Sequence, residues 1–396
     1  MNTLMNRAGK KNIKLMIIIN STMVMLGIYI SSYQYLVLSI SQAFNFDYST
    51  MGLLIAIQYI GMVVPPLFLG MLCNKIGTKI VLIISYFLII IGTLLAGISQ
   101  THLVFMFSVF LIGAGFSVTE ATLSAVLTDE FTNESTRYLN FSQAAFCVGA
   151  VLGPFIAELL IKKGVYFKSL FICFSLAFLI LAISFIFNKY ENNAKRSALK
   201  GFKEVIKTLN NKTFLLLIIA IFLYVGIENT VASFTDSYYK MYLNAPEMSA
   251  VALSLFWGSM IPSRILAGII KINHQKLFLF LSSLVFISFI TAMMIPNSYI
   301  KTILFAICGF GCGPLWPLIM DQAAQKSEGL TAFALNIMMS FAGLGGAMLP
   351  FVSGILVNAF NPSIAYYLCS VAVVLMAVLY LLSIKKKLKR NNFNEE

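Results

Sequence analysis

Charged side chains are scarce in this chain. Asp, Glu, Lys and Arg make up only 11% of its 396 residues, whereas globular domains contain about 25%. Hydrophobic residues reach 59%, and the mean hydropathy is +0.87. A water-soluble globule cannot bury this much apolar surface, because part of every globule faces water. The composition therefore excludes a soluble protein and indicates a chain that is solvated by a lipid bilayer.

The motifs of common catalytic and nucleotide-binding centres are missing as well. The two histidines, His102 and His274, lie in separate short loops, and neither HExxH nor GxxxxGK[ST] occurs. Six cysteines form no CxxC pair, and Cys308 and Cys312, one helical turn apart, have no His or acid beside them. We therefore expect no metal, no cofactor and no direct use of ATP. A polytopic membrane enzyme remains a competing class without a catalytic cluster to support it.

The chain has a net charge of +13, but its basic residues lie between apolar runs and at the two ends rather than on one amphipathic face. This placement is typical of a polytopic membrane protein and argues against a nucleic-acid partner. A membrane-spanning helix needs about 20 apolar residues. Twelve runs of this kind are present, at 13–41, 49–72, 79–99, 103–128, 138–161, 167–188, 213–239, 248–270, 276–295, 299–323, 331–358 and 363–384.

A polar, basic segment at 189–212 separates the first six spans from the last six. We therefore predict an amino-terminal bundle at 1–188, a cytoplasmic linker at 189–212, a carboxy-terminal bundle at 213–384 and a cytoplasmic tail at 385–396. On this topology 22 of the 28 Lys and Arg residues lie on one side and five on the other, with Arg264 inside span 8. The excess predicts a multi-pass protein of the cell membrane with both termini in the cytoplasm.

The two halves carry an internal repeat. An offset of 196 residues aligns Gly113 with Gly309, Gly149 with Gly345, and a proline five residues after each of the second pair. A single offset that holds over most of a half-chain predicts two related six-helix bundles.

Glu120 is the most informative single residue. No Asp, Glu, Lys or Arg occurs from Ile80 to Thr119, so Glu120 is the first charge after forty uncharged residues. A charge at mid-bilayer costs about 2.5–3.5 kcal/mol on insertion scales, and such residues usually mark an ion or substrate pathway. Ser124 follows one turn later and shares the face of Glu120. In span 7, Glu228 and Asp236 are eight residues apart and also lie near one face.

Uncharged polar groups and the two tryptophans complete the candidate cavity. They suit hydrogen bonding to a hydroxyl-rich solute, although interhelical hydrogen bonds and interfacial anchoring are alternative roles for them. These candidates are Tyr33, Gln34, Gln58, Asn140, Gln143, Asn229, Trp257, Trp316 and Asn336.

The loop after span 2, GMLCNKIGTK, resembles the major facilitator signature Gly-x-x-x-Asp-Arg-x-Gly-Arg-Lys. Gly70, Gly77 and Lys79 match, Lys75 keeps the charge, and Asn74 replaces the acid. In that family the loop helps to latch the cytoplasmic side, and the loss of the acid removes a charge-assisted hydrogen bond. Arg264 and Asp321, near predicted cytoplasmic ends, are further candidates for latch partners.

Other stretches are similar to one group of that family, the fucose/galactose/glucose:proton symporters. They are residues 41–72, GAGFSVTE in span 4, YVGIEN in span 7, LFWGSMIPSR in span 8 and GFGCGPLWP in span 10. The resemblance implies that Glu120 takes part in proton coupling and substrate recognition. Two departures weaken the carry-over, because an acid of span 1 is here Gln34 and an asparagine one turn after the glutamate is here Ser124.

The resemblance implies an all-α major facilitator fold of twelve transmembrane helices and no enzyme activity. We expect a monomer that works by alternating access and takes up a small polar solute, such as a sugar, with protons. An exporter of amphipathic compounds that exchanges them for protons is the alternative. It is favoured by GAVLGP in span 5, where Gly149 and Gly153 allow close packing and Pro154 can kink the helix, and by Gln34.

Overall fold

The computed structural model describes residues 2–44, 48–188, 190, 211–270, 272–327 and 330–384. Helices dominate these ranges, which contain no strand. The first half forms α1 (Asn2–Ala43), α2 (Tyr48–Ile76), α3 (Thr78–Ile98), α4 (His102–Glu130), α5 (Ser135–Lys162) and α6 (Phe167–Ile186). The second half forms α7 (Lys212–Ser237), α8 (Pro246–Ile269), α9 (His274–Met294), α10a (Ser298–Cys312), α10b (Leu315–Gln325), α11 (Thr331–Ala359) and α12 (Ile364–Ile384).

The predicted spans correspond to these helices one by one. Eleven helical segments of the described chain are long and apolar enough to cross a membrane, with α10a and α10b counted as one segment, Ser298–Gln325. The remaining span is α2, which contributes the shorter apolar stretch Ile57–Cys73. The predicted all-α membrane architecture is therefore confirmed.

The chain divides into two compact units, Met1–Ala198 and Leu199–Glu396. We call them the N unit and the C unit. Most of the expected linker, residues 191–210, and the expected tail, residues 385–396, lie outside the described residues.

Helix pairing inside the N unit is repeated inside the C unit. In the N unit α1 packs on α5, α2 on α4, and α3 on both α4 and α6. In the C unit α7 packs on α11, α8 on α10a, and α9 on both α10a and α12. The offset of 196 residues found in the sequence thus corresponds to the same set of helix contacts in each unit.

Glycine makes the closest of these pairings possible. A Cβ at Gly149 would overlap the backbone carbonyl of Val24 in α1, and a Cβ at Gly345 would overlap that of Phe222 in α7. Because the obstructing atoms are backbone, no side-chain rotation can relieve the overlap. The α1–α5 and α7–α11 contacts therefore depend on residues without a side chain.

Span 10 is divided into two helices in the structure. Sequence periodicity predicts one helix over 299–323, but α10a ends at Cys312 and α10b begins at Leu315. Pro314 and Pro317 cause the break, because proline has no N–H to donate to the carbonyl four residues earlier. The carbonyls of Phe310 and Gly313 consequently need donors from elsewhere.

The glycine contacts can be tested by adding one methyl group. We expect Gly149→Ala to lower stability by about 1–3 kcal/mol, the usual cost of overpacking, and to lower the thermal unfolding midpoint of the purified protein. Gly258→Ala is the matched control, because no atom lies within 4 Å of its ideal Cβ. Alanine is the better helix former there, so its midpoint stays level or rises. Equal midpoints for the two variants would contradict the packing argument.

Candidate functional site

Glu120 lies on α4 and is only 7% exposed. Gln143 of α5 donates a hydrogen bond from Nε2 to Glu120 Oε1 at 3.0 Å. The Ser124 hydroxyl, expected on the same face, instead donates to the backbone carbonyl of Glu120 at 2.8 Å. The N unit therefore holds a buried carboxyl group against a neutral amide.

The amide of Gln143 suits a carboxyl group that changes protonation. A carboxamide carries both donors and an acceptor. Its NH₂ group can donate to the carboxylate, and after a flip its carbonyl oxygen can accept from the protonated acid. Gln143 can thus hydrogen-bond Glu120 in either state.

Three of the predicted cavity residues have a buried polar atom without a hydrogen-bond partner in the described chain. They are Gln58 through Nε2, Asn140 through Oδ1 and Asn336 through Oδ1. A buried polar group that lacks a partner costs about 1–3 kcal/mol. Such atoms are expected where a ligand or water supplies the missing partner.

Asn140 and Asn336 occupy equivalent places in the two units, since they are 196 residues apart. Both side chains are fully buried. Each donates from Nδ2 to the carbonyl four residues earlier, Asn140 to Thr136 and Asn336 to Ala332, at 2.8 Å in both cases. This bond leaves the same atom, Oδ1, as an open acceptor in each unit.

The C unit holds its own buried carboxyl group, Glu228 of α7, which is 8% exposed. Tyr224, one turn earlier, donates from its hydroxyl to Glu228 Oε1 at 2.5 Å. Arg264 of α8, 3% exposed, places Nη2 at 3.7 Å from the same oxygen. Glu228 therefore has an oppositely charged neighbour.

The neighbours of Glu228 also supply the donors that the break in α10 needs. Ser263 donates its hydroxyl to the carbonyl of Phe310. Arg264 donates from Nε to the carbonyl of Gly313 at 2.8 Å. These are the two carbonyls left open by Pro314 and Pro317, so two adjacent residues of α8 satisfy the broken helix.

Arg264 and Asp321, the two further latch candidates, both contact residues of other helices. Arg264 belongs to the buried cluster of Glu228, because the open carbonyl of Gly313 draws its guanidinium inward. Asp321 is buried on α10b, accepts from Gln325 Nε2 at 2.8 Å and lies 3.9 Å from His274 Nδ1. The two latch candidates therefore have different partners.

Tyr33 and Gln34, two neighbouring candidates of α1, differ in their burial. Tyr33 is buried and stacks on Tyr29, with ring centroids 6.1 Å apart. Tyr29 in turn packs edge-on against Phe174 of α6. Gln34 is exposed, because consecutive residues of a helix point about 100° apart. Tyr33 is therefore part of the aromatic core of the N unit.

The remaining candidates are spread over the C unit. Trp316 is buried directly after the break in α10, whereas Trp257 is partly exposed and packs edge-on against Phe256. Asn229 donates to the carbonyl of Val225 at 2.9 Å. The side chain of Asp236 lies outside the described residues.

The loop between α2 and α3 is anchored within the N unit. Gly77 has φ 97°, a conformation that favours glycine, and Gly70 is buried. Lys79 donates from Nζ to the carbonyls of Ile186 and Asn188 at 3.2 and 2.9 Å, which stabilises the end of α6. Lys75 is exposed, and the side chain of Asn74 lies outside the described residues.

Tyr224 and Ser263 are the functional candidates that the sequence analysis did not select. Ser263 could have been found by asking which residues satisfy the carbonyls four positions before Pro314 and Pro317. Tyr224 precedes Glu228 by one turn, a spacing that places both on one face.

Comparison with known proteins decides the family. The sequence profile described as Major Facilitator Superfamily matches residues 16–332 and 271–396. The chain belongs to the major facilitator superfamily. It is accordingly a multi-pass membrane transporter and not an enzyme.

Several proteins are similar to this facilitator along most of its length. A glucose/mannose transporter of Bacillus subtilis is 20% identical over 324 residues, which cover 79% of this chain and 80% of that protein. A putative glucose/galactose transporter of Helicobacter pylori is 25% identical over 339 residues, which cover 79% and 81%. The structure of the E. coli fucose:proton symporter has a TM-score of 0.79 at 15% identity and covers 93% of this chain and 98% of that one.

The double role of Arg264 can be tested by thermal unfolding. We expect Arg264→Met to destabilise the facilitator by about 3–5 kcal/mol, because it leaves Glu228 as a buried, uncompensated charge. Adding Glu228→Gln to this variant restores part of the loss by removing that charge. Ser263→Ala, which opens one carbonyl only, costs about 1 kcal/mol. If the double variant is no more stable than Arg264→Met, the ion pair with Glu228 has no energetic role.

Proposed function

We propose that this facilitator couples the uptake of a small polar solute, most simply a sugar, to the inward movement of protons, with Glu120 as the proton carrier. The contact between Glu120 and Gln143 carries this proposal. A carboxyl group buried in an apolar helix is costly as an anion, and its amide neighbour accommodates both protonation states. Glu120 can therefore gain and lose a proton while it keeps a hydrogen bond to Gln143, whose amide flips between the two states.

The open hydrogen-bonding atoms support a hydroxyl-rich solute. Asn140 Oδ1 and Asn336 Oδ1 are acceptors, and Gln58 Nε2 is a donor. A hydroxyl group can serve both kinds of atom. The similar proteins of B. subtilis and H. pylori are named as transporters of glucose with mannose or galactose, which agrees with such a solute.

Export of amphipathic compounds is less well supported. In the sequence, the exporter is favoured by GAVLGP, by Gln34 and by the many Phe and Met residues that could form an adaptable pocket. In the structure Gly149 and Gly153 both lie against α1, where a Cβ would overlap Val24 or Ser31. Close helix packing accounts for the two glycines without a role in transport direction.

The distribution of basic residues supports the proposed topology. With 22 of the 28 Lys and Arg residues on one side, both termini and the basic segment 189–212 lie in the cytoplasm. The membrane is the cell membrane, and the transporter works as a monomer of two six-helix bundles joined by that segment.

A transport assay with Glu120→Gln tests the proton carrier. Purified protein in liposomes with an internal pH-sensitive dye is given a panel of sugars, other polar solutes and hydrophobic cations. We expect one sugar to bring protons inward with the unaltered protein. With Glu120→Gln that proton movement and proton-driven accumulation are lost, because an amide cannot release a proton.

Glu158→Gln is the control for this assay. Glu158 is a partly exposed partner of Lys162 at 2.6 Å, and its replacement should leave transport unchanged. Proton efflux on addition of a hydrophobic cation would instead indicate the exporter. Normal proton-driven accumulation by Glu120→Gln would remove Glu120 from the coupling step.

Replacement of the paired asparagines tests solute recognition. Asn140→Leu and Asn336→Leu keep the number and branching of the side-chain heavy atoms and remove the open acceptor. We expect each to raise the KM for the transported sugar about tenfold, the effect of one lost hydrogen bond to solute of about 1.4 kcal/mol. Thermal stability should hold or improve, because a buried atom without a partner is removed.

Ser282→Ala is the control for the asparagine variants. Its hydroxyl is another buried atom without a partner in the described chain, but it lies on α9, which packs mainly on α10a and α12. Its KM should not change. Unchanged KM values for both asparagine variants would rule out a role for these acceptors in binding the solute.

A further inference from the structure

Glu228 is joined to the break in α10 by two side chains. Tyr224 Oη lies 2.5 Å from Glu228 Oε1 and also 3.1 Å from the carbonyl oxygen of Cys312. Arg264 lies 3.7 Å from Glu228 Oε1 through Nη2 and 2.8 Å from the carbonyl oxygen of Gly313 through Nε. Both neighbours of the carboxyl group therefore also contact one of two consecutive carbonyls at the end of α10a.

The hydroxyl of Tyr224 has one proton and two acceptors within reach. When Glu228 is ionised, the carboxylate is the stronger acceptor, so the phenol proton is directed to Glu228. When Glu228 binds a proton, its O–H can donate to Tyr224 Oη, and the phenol proton is then directed to the Cys312 carbonyl. The phenol keeps its proton in both states, and only the direction of two hydrogen bonds changes.

Arg264 responds to the same proton. Its Coulombic attraction to Glu228 exists only while Glu228 is ionised. Neutralisation of Glu228 leaves the guanidinium with its hydrogen bond to Gly313. Tyr224 thus shifts a hydrogen bond from Glu228 to the proline-containing break, and Arg264 loses its attraction to Glu228 while it keeps its bond to that break.

The other titratable groups around Glu228 are mainly thiols. Cys308 and Cys312 lie on α10a, and Cys369 of α12 is close to Cys312 and to Thr230 of α7. The residues of α11 include no titratable side chain. Asp321 of α10b is in contact with Gln325 and His274, and Tyr380 of α12 is within its electrostatic influence.

We propose that Tyr224 transmits the protonation state of Glu228 to the break in α10, by donating to the Glu228 carboxylate in one state and to the Cys312 carbonyl in the other. Tyr224 is thus a positioning residue for the transport cycle. The inference deepens the proposed function and rests on it for the identity of the coupling ion. The segment that responds is Gly313–Pro317, which joins α10a to α10b. A changed hydrogen bond there can alter the angle between these two helices.

Trp316 reports on this segment. Its indole is buried directly after the break. In a continuous helix the backbone N–H of Trp316 would bond to the Cys312 carbonyl. Trp257→Phe leaves Trp316 as the only tryptophan, since the chain has two. The experiment follows the fluorescence of full-length Trp257→Phe protein in liposomes as a function of pH, with no solute present.

We expect the emission of Trp316 to change in one sigmoidal step with pH. The step should be lost when Glu228→Gln is added, and equally when Tyr224→Phe is added. Tyr239→Phe is the matched control, because Tyr239 is a fully buried tyrosine of the same unit whose hydroxyl pairs with Thr302 at 3.0 Å. It should keep the step. Tyr224→Phe retains the ring, and gel filtration confirms that each variant is folded.

A parent protein without a pH step, or a step that survives in Tyr224→Phe, overturns the proposal. Because no solute is needed, the result is independent of the transport assay. Absence of proton-coupled uptake would reject the proposed function, whereas the fluorescence series alone decides the role of Tyr224.

Discussion

The requirement that every backbone polar group inside a bilayer finds a partner within the protein explains the organisation of the C unit. Two prolines open two carbonyls in span 10. Ser263 and Arg264 fill them, which places a guanidinium in the interior. A buried cation needs an anion, and Glu228 provides it. The buried ion pair can thus be traced back to two missing N–H groups in a neighbouring helix.

The two units share a scaffold but differ in their charges. Asn140 and Asn336 have the same hydrogen bond, the same burial and the same open oxygen. The carboxyl groups differ, because Glu120 contacts a neutral amide and Glu228 contacts a guanidinium. The same helix packing thus surrounds two carboxyl groups with different neighbours, so Glu120 and Glu228 are expected to bind and release a proton at different pH.

Much of this structure follows from simple features of the sequence. The twelve spans were predictable because the bilayer requires long apolar runs, and the offset of 196 residues identified the repeated helix pairs. Glu120 could be selected because it is isolated among uncharged residues.

The partner of Glu120 could not be identified, since several polar residues of α5 and α2 were equally suitable until the α4–α5 packing was known. The partners of Arg264 could not be identified from its distance to the helix end, because one of them is the carbonyl of Gly313, which Pro317 leaves without its helical donor. Tyr33 and Gln34 follow one another along α1, and helical rotation therefore places Tyr33 in the aromatic core and leaves Gln34 exposed.

The glycine contacts between α1 and α5, and between α7 and α11, restrict how sequences of this fold can diverge. Elsewhere in a helix bundle one substitution can be compensated by a second in a neighbouring side chain. At Gly149 and Gly345 the opposing atoms are main chain, which no mutation can remove. Compensation would require a whole helix to move, with simultaneous changes along its length. Substitutions are therefore expected to accumulate freely on the lipid-facing sides of these helices and to be excluded at the glycines that face main chain, which contribute no side-chain chemistry at all.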